Sequence, residues 1–242
     1  MNYSIGEFAK LCGINATTLR AWQRRYGLLK PQRSDGGHRL YSDEDVQQAL
    51  NILDWIKKGV PVSKVKILLE RPEEEYTNQW LFLQEQLLQQ LTDGRIEAAR
   101  NTVYDSGREY PREELVTQLL RPLRRRISAN IATAITLREV LDSLIIAYTS
   151  FCIEGDKRAA GSNYLISGWH LTDPGEVWLE ALKRTGQGKR IDVLPHLPAM
   201  LAPDIFPERH WILVTAEKLT TAMLKQQQQW QDSVKSLEIV SL

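Results

Sequence analysis

The stretch that most constrains this chain runs from Asn15 to Tyr41 and reads N-A-T-T-L-R-A-W-Q-R-R-Y-G-L-L-K-P-Q-R-S-D-G-G-H-R-L-Y. Asn15 is a good helix N-cap, because its side-chain oxygen can take an orphan backbone N–H, and Gly27 stands where a helix needs a left-handed residue to stop. The spacing between them predicts a helix of roughly 11 residues. At about 100° per residue, Leu19, Trp22 and Tyr26 share one face, and Thr17, Arg20, Ala21 and Arg24 the other. One face packs and the other offers charge and short polar groups.

A hairpin is expected next, with Arg33 before its turn and His38, Arg39 and Tyr41 after it. Asp35-Gly36-Gly37 suits positive φ in a tight turn between extended arms. From Ala16 to Tyr41 there are six Lys or Arg (Arg20, Arg24, Arg25, Lys30, Arg33, Arg39) against one acid, Asp35, a net +5. A polyanion is the natural partner. A helix to enter a major groove and a basic wing to grip phosphate are the parts of a winged-helix DNA reader.

The overall net charge of +1 hides this asymmetry. Residues 1–70 carry 11 basic and seven acidic residues, and the remainder carries 20 and 23. With 242 residues and 43% hydrophobic content the chain can bury sizeable cores in more than one domain. It shows no apolar run of about 18 residues and no secretory leader, so a soluble, cytoplasmic protein is expected. Cys12 and Cys152 are far apart with no second Cys or His at ligand spacing, which favours buried thiols over metal or redox roles.

Ser4 and Glu7 form a capping box for a first helix that turns Ile5, Phe8 and Leu11 inward and ends at Gly13. With the basic helix this makes a helix-turn-helix. Ser42 and Asp45 form a second box, opening a helix through about Lys58 with Val46, Leu50, Leu53 and Ile56 inward. Gly59 closes it, and Pro61 starts a shorter helix with Val62, Val65, Leu68 and Leu69 on one side.

The strings T-L-R-A-W-Q-R-R-Y-G-L-L-K-P and G-G-H-R-L-Y resemble the DNA-binding domain of the MerR family of bacterial transcription regulators, over residues 1–70. Their form is similar to the branch that includes cobalamin-binding photoreceptor repressors and regulators of enterobacterial biofilm genes, most closely the latter. The resemblance implies a homodimer on double-stranded promoter DNA, acting on RNA polymerase indirectly by deforming the promoter. It also implies control of curli or biofilm genes, with input from proteins of cyclic-di-GMP signalling. The DNA-binding residues expected are Thr17, Thr18, Arg20, Trp22, Arg24, Arg25, Tyr26, Arg33, His38, Arg39 and Tyr41. Among them Arg20, Arg25, Arg33, His38 and Arg39 suit phosphate, and Thr17, Thr18 and Arg24 suit base edges. Trp22 is either core or pressed on sugar-phosphate.

Arg71-Pro72-Glu73-Glu74-Glu75 reads as a linker. Beyond it, a bundle of about four helices is expected over residues 76–156. Its apolar stripes are Trp80, Leu83, Leu87, Leu88 and Leu91; Ile96, Ala99 and Val103, ending at Gly107; Leu115, Leu119, Leu123 and Ile127, with Pro122 kinking or splitting the helix; and Leu137, Leu141, Leu144, Tyr148 and Phe151, ending at Gly155. The first of these, Trp80 to Leu91, is the candidate dimerisation segment. The run Arg121-Pro122-Leu123-Arg124-Arg125-Arg126 reads as a solvated face paired with acids such as Glu113 and Glu114, or as a docking surface for an acidic partner.

Residues 160–242 change period. Apolar runs at Tyr164–Gly168, Ile191–Leu194, Trp211–Val214 and Leu237–Val240 alternate with helical segments at about Pro174–Arg184 and Thr220–Ser233, and a weaker helix follows Pro198. This predicts a small parallel Rossmann-like or flavodoxin-like α/β domain. The fold class is thus mainly α with α/β: a winged helix-turn-helix at 1–70, a bundle at 76–156 and an α/β domain at 160–242.

The family's cobalamin-binding members carry D-x-H-x-x-G after the first strand, the His as cobalt ligand and the Asp as its hydrogen-bond partner. This chain has Gly168-Trp169-His170-Leu171-Thr172-Asp173-Pro174-Gly175-Glu176, with His and Asp in the wrong order. Ala147-Tyr148 stands where a Glu-His pair would complete the cradle. No cofactor and no metal are expected, and His170 reads as a satisfied residue at a strand end. His196 and His210 suggest surface positions. No dinucleotide fingerprint, P-loop or nucleophile elbow occurs, and His170, Asp173 and Glu176 read as solvated loop residues, so no enzyme is expected. A protein-interaction module is the leading use for the distal region. The alternative is a small-molecule sensor holding a ligand other than cobalamin between bundle and α/β domain.

Overall fold

The computed structural model describes residues 2–34, 37–57, 59–70, 79–127, 133–158, 160–196, 201–216 and 218–242, without the side chains of residues 67, 68 and 70. The chain forms two compact units, Met1–Leu141 and Asp142–Leu242. Among the described residues no helix is long and apolar enough to cross a membrane.

The first unit opens with β1 (Asn2–Tyr3) and α1 (Ile5–Cys12). Both halves of the first capping box form: the Glu7 amide donates to Ser4 Oγ at 3.4 Å, and the Ser4 amide donates to Glu7 Oε2 at 2.8 Å. Hydrogen bonds from the Ser4 backbone N–H and then from its side chain hold the Glu7 carboxyl below its ordinary pKa. Phe8 and Cys12 are buried, whereas Leu11 is 54% exposed. The inward stripe therefore follows i, i+4 through Phe8 and Cys12, correcting the expectation for Leu11.

The reader helix α2 (Ala16–Ala21) continues as a π-helical turn, Trp22–Tyr26. Strands β2 (Gln32–Arg33) and β3 (Arg39–Ser42) pair antiparallel, Arg33 opposite Arg39, and β1 joins the far side of β3. Asp35 and Gly36 of the expected turn lie outside the described residues; beside them the Ser34 amide donates to the His38 carbonyl at 2.9 Å. The second capping box forms at the start of α3 (Asp43–Lys57), the Ser42 amide donating to Asp45 Oδ2 at 2.8 Å. Ala49, Ile52, Leu53 and Ile56 are its buried residues, while Leu50 is exposed and Val46 only half-buried. Lys58 lies outside the described residues. Val62 and Val65 of α4 (Val62–Glu70) are buried as expected, and the expected position of Leu68 is not described. The expected linker Arg71–Glu75 also lies outside the described residues.

Helices α5 (Gln79–Thr92), α6 (Ile96–Glu109), α7 (Arg112–Glu114) with a π-helical stretch Leu115–Leu120 running into α8 (Arg121–Ile127), and α9 (Ala134–Asp156) account for the expected helical region. On α5 the buried stripe is Trp80, Gln84, Leu87 and Leu91, with Leu83 and Leu88 half-buried. On α6, Ala99 and Val103 are buried but Ile96 is exposed, and the helix passes through Gly107. Leu115, Leu119, Leu123 and Ile127 are all buried.

Pro122 has no N–H for the carbonyl four residues before it, that of Gln118. The buried Gln84 side chain donates to that carbonyl at 2.6 Å. The π-helical stretch just before the proline widens the helix where its ring would crowd the preceding turn. Arg124 does not join a solvated face, being 1% exposed, and Arg126 pairs with Glu85 at 2.8 Å. On α9, Phe151 is 64% exposed, and Cys152 and Ile153 take the inward places. Cys12 and Cys152 are both buried free thiols, as their isolation in sequence implies.

The second unit takes in α9 from Asp142 onward, whose Ile153 joins the core of the sheet, and a parallel four-stranded sheet of order β5-β4-β6-β7, built from β4 (Ser162–Gly168), β5 (Lys189–Val193), β6 (His210–Thr215) and β7 (Ser236–Ser241). Helices α10 (Gly175–Arg184) and α11 (Thr221–Gln231) cover opposite faces. Alternation along the strands makes both cores. Ile166, Ile212 and Val214 meet Val177 and Ala181 on one side, and Leu165, Trp211 and Leu213 meet Met223 and Trp230 on the other. Gly161 and Gly188, just before β4 and β5, lie against each other, and the Gly188 carbonyl oxygen leaves no room for a Cβ at residue 161. The segment after Pro198 lies partly outside the described residues, and a short 3-10 turn, Pro203–Ile205, follows it.

Candidate nucleic-acid interface

Asn15 Oδ1 accepts from the Thr18 amide at 2.7 Å, starting the reader helix where its sequence requires. Gly27 ends it at φ 62°. Thr17, Arg20, Arg24 and Arg25 are exposed, and Thr18 is half-buried. On the wing, Arg33, His38 and Arg39 are exposed. Arg20, Arg24, Arg25, Lys30, Arg33 and Arg39 form no ion pair with a described carboxylate.

Two expected contact residues sit elsewhere. Trp22 is 2% exposed and Tyr41 is fully buried. Tyr41 stacks on Phe8 of α1 with ring centroids 4.2 Å apart, and its burial raises the phenol pKa. A covered ring cannot lie against a phosphate, so both support the face from behind. Tyr26 is half-buried and donates its hydroxyl to Glu109 Oε1 at 3.3 Å; burial, then the nearby carboxylate, raises its pKa.

Gln23 was not singled out by the sequence, yet it joins helix to wing. Its amide Nε2 donates to the Tyr41 hydroxyl at 3.0 Å, and Arg39 Nε donates to its Oε1 at 3.0 Å. Arg39 and Tyr41 are two apart on β3 and so face the same side. The signal was present: Gln23 lies four residues after Leu19, a polar group in the buried stripe. Gln48 of α3 likewise donates to the Leu28 carbonyl at 2.8 Å and fixes the exit from the reader helix.

In the second unit the two residues after β4 differ in exposure. Trp169 is buried and packs on Trp230 at 5.4 Å between centroids, while His170 is exposed at φ 49°. Tyr148, which stands where the family's cobalamin-binding members have a Glu-His pair, is also buried. His210, expected at the surface, is half-buried as the first residue of β6, stacked on Tyr164 at 4.7 Å.

Residues 3–72 match the family model described as MerR HTH family regulatory protein. Residues 80–154 match that of the transcriptional regulator MlrA helical domain, and 161–236 that of the MlrA C-terminal domain. The HTH-type transcriptional regulator MlrA of Escherichia coli (strain K12) is 43% identical over 230 residues, 95% of each chain. That of Salmonella typhimurium (strain SL1344) is 42% identical over 228 residues, 94% of each. The HTH-type transcriptional repressor CarH of Myxococcus xanthus is 39% identical over 67 residues, covering 28% of this chain and 22% of that protein. These matches place the chain among regulators rather than enzymes. The protein belongs to the MerR family of DNA-binding transcriptional regulators and is of the MlrA type.

Proposed function

We propose that the protein reads promoter DNA as a homodimer, through Thr17, Thr18 and Arg24 at base edges and Arg20, Arg25, Arg33, His38 and Arg39 at phosphates. Trp22, Tyr26 and Tyr41 hold that surface from behind. The observation that carries this reading is the Gln23 bridge, which fixes a cationic wing beside a cationic helix whose charges have no ion-pair partner among the described residues. Counter-ions released from DNA by such a face supply sequence-independent affinity, and the helix supplies selectivity.

In this reading residues 1–70 are the DNA-binding domain, 76–156 a bundle that pairs two copies, and 160–242 a protein-interaction module. Exposed Leu81 and Phe82 on α5 supply apolar surface for the pairing. The resemblance to enterobacterial MlrA supports control of curli or biofilm genes in the cytoplasm, with RNA polymerase engaged through a deformed promoter and cyclic-di-GMP-signalling proteins as input. Bending and untwisting a promoter costs several kcal/mol, which backbone contacts of this kind offset.

The test is a salt-dependent titration of a duplex selected by the protein from a random pool. Arg33→Ala and Arg39→Ala should weaken binding to all sequences and lower the salt slope by about one each. Arg24→Ala should change base preference instead. Unchanged affinity and preference in all three would overturn the assignment.

A further inference from the structure

Two consecutive residues at the end of α6 grip the reader module. Glu109 accepts the Tyr26 hydroxyl through Oε1 and the Ser63 backbone N–H through Oε2, each at 3.3 Å. Tyr110, 5% exposed, donates its hydroxyl to the Gly59 carbonyl at 3.3 Å and lies against Trp80 of α5 with centroids 4.1 Å apart. One carboxylate thus touches the last residue of the reader helix before Gly27 and the first turn of α4, where free amides and the helix dipole favour an anion. The neighbouring ring ties the same corner to α5.

A carboxylate offers phosphate no favourable contact, so Glu109 can support the basic face only through the groups it bonds, of which Tyr26 is the one on the reader helix. Both bonds are longer than the optimum for their type, about 2.7–3.0 Å.

We propose that Glu109 is a positioning residue for DNA recognition, setting the angle of the reader helix through Tyr26 and so passing changes in the helical bundle to the basic face. This rests on the reading of that face as the DNA reader. Releasing Tyr26 leaves the final turn of the helix to be ordered at the moment of binding, which weakens affinity without removing a phosphate contact.

The experiment uses the full chain and the selected duplex, with Tyr26→Phe, Glu109→Ala, Glu109→Gln and the Tyr26→Phe/Glu109→Ala pair. Each of the first two variants should weaken binding roughly 3- to 10-fold, the span expected for one hydrogen bond. The double variant should be no weaker than the worse single one, because both break the same link. The salt slope should stay at the wild-type value, the thermal midpoint should hold, and Glu109→Gln, which keeps an acceptor oxygen, should recover part of the loss. Additive losses, or a shallower slope in Tyr26→Phe, would place Tyr26 on the DNA itself and overturn the proposal. So would full affinity in both single variants, or losses that only track a lower thermal midpoint. Failure of the reader assignment is separate, and appears as unchanged binding in Arg33→Ala and Arg39→Ala.

Discussion

Arg39 of the wing donates its Nε to Gln23 Oε1 of the reader helix at 3.0 Å, so a residue expected to grip phosphate is itself held by the element beside it. The other end of the same amide holds the buried Tyr41 hydroxyl. Gln23→Ala removes both bonds and leaves every cation in place. Affinity should fall about 5-fold from lost preorganisation, with a stability cost of roughly 1 kcal/mol. The salt slope separates this from Arg39→Ala: the Gln23 variant keeps the wild-type slope in a gel-shift series, and the Arg39 variant does not. Wild-type slopes in both variants would mean that Arg39 meets no phosphate.

A second amide serves the interior of the bundle. Gln84 supplies the donor that Pro122 denies to the Gln118 carbonyl. Gln84→Leu should cost roughly 1–3 kcal/mol in urea denaturation, the penalty for a buried carbonyl left without its donor. Pro122→Ala restores a backbone N–H at that position, so the cost of Gln84→Leu should shrink in the Pro122→Ala background. An undiminished cost would show that Gln84 stabilises by packing alone.

These two glutamines mark where the sequence was and was not legible. Caps and stops were readable because they are local: Ser4 with Glu7, Asn15 and Gly27 each act within one helical turn. The α/β unit was readable because both sheet faces are covered, which makes its strands short, continuous apolar runs. Inward residues were misassigned where an apolar residue stood next to the true stripe. Leu11 beside Cys12, Leu50 beside Ala49 and Phe151 beside Cys152 each won on hydrophobicity, and the structure turned the smaller neighbour inward. Tyr41 looks like a groove aromatic in sequence, but its ring stacks on Phe8 of α1, and Trp22 takes the core place of its two sequence alternatives. Long-range polar links such as Gln23–Arg39 and Tyr26–Glu109 leave no local signature beyond a polar residue beside a buried stripe.

Glu114 gives a pH dependence of definite sign. Its carboxyl is buried at the start of the π-helical stretch, and that burial, followed by the nearby Glu113 charge, lifts its pKa above the ordinary carboxylate value against the pull of backbone hydrogen bonding and Lys57. A raised folded-state pKa means that the neutral acid is the form that suits the fold. Its contribution is fully present below the unfolded value of about 4.3 and is lost as pH rises through the folded value. Glu114→Gln, neutral at every pH, should therefore be more stable than the parent at pH 7.5, and the advantage should disappear near pH 3.5. Denaturation midpoints at the two pH values check this; a Gln variant less stable at pH 7.5 would mean that the ionised form is favoured.

The proposed pairing of two copies through α5 uses a side chain that the bundle leaves exposed. Phe82 is 67% exposed and Leu81 60%, beside the buried Trp80. Covering a Phe is worth about 1.5–3 kcal/mol, and two-fold symmetry counts every such contact twice, so one substitution removes a large part of a modest interface. Phe82→Asp also brings two carboxylates together across the axis, which disfavours the pair beyond the lost apolar area. The bundle core, built on Trp80, Leu87 and Leu91, should be untouched, so helical content and thermal midpoint at low concentration should match the parent. Sedimentation should then report a monomer, against the dimer proposed for the parent. Affinity for a two-half-site duplex should drop by at least about 10-fold, since the second reader no longer arrives tethered to the first. Binding to a single half-site should be unchanged. A Phe82→Asp protein that sediments as a dimer would move the pairing surface off this face of α5.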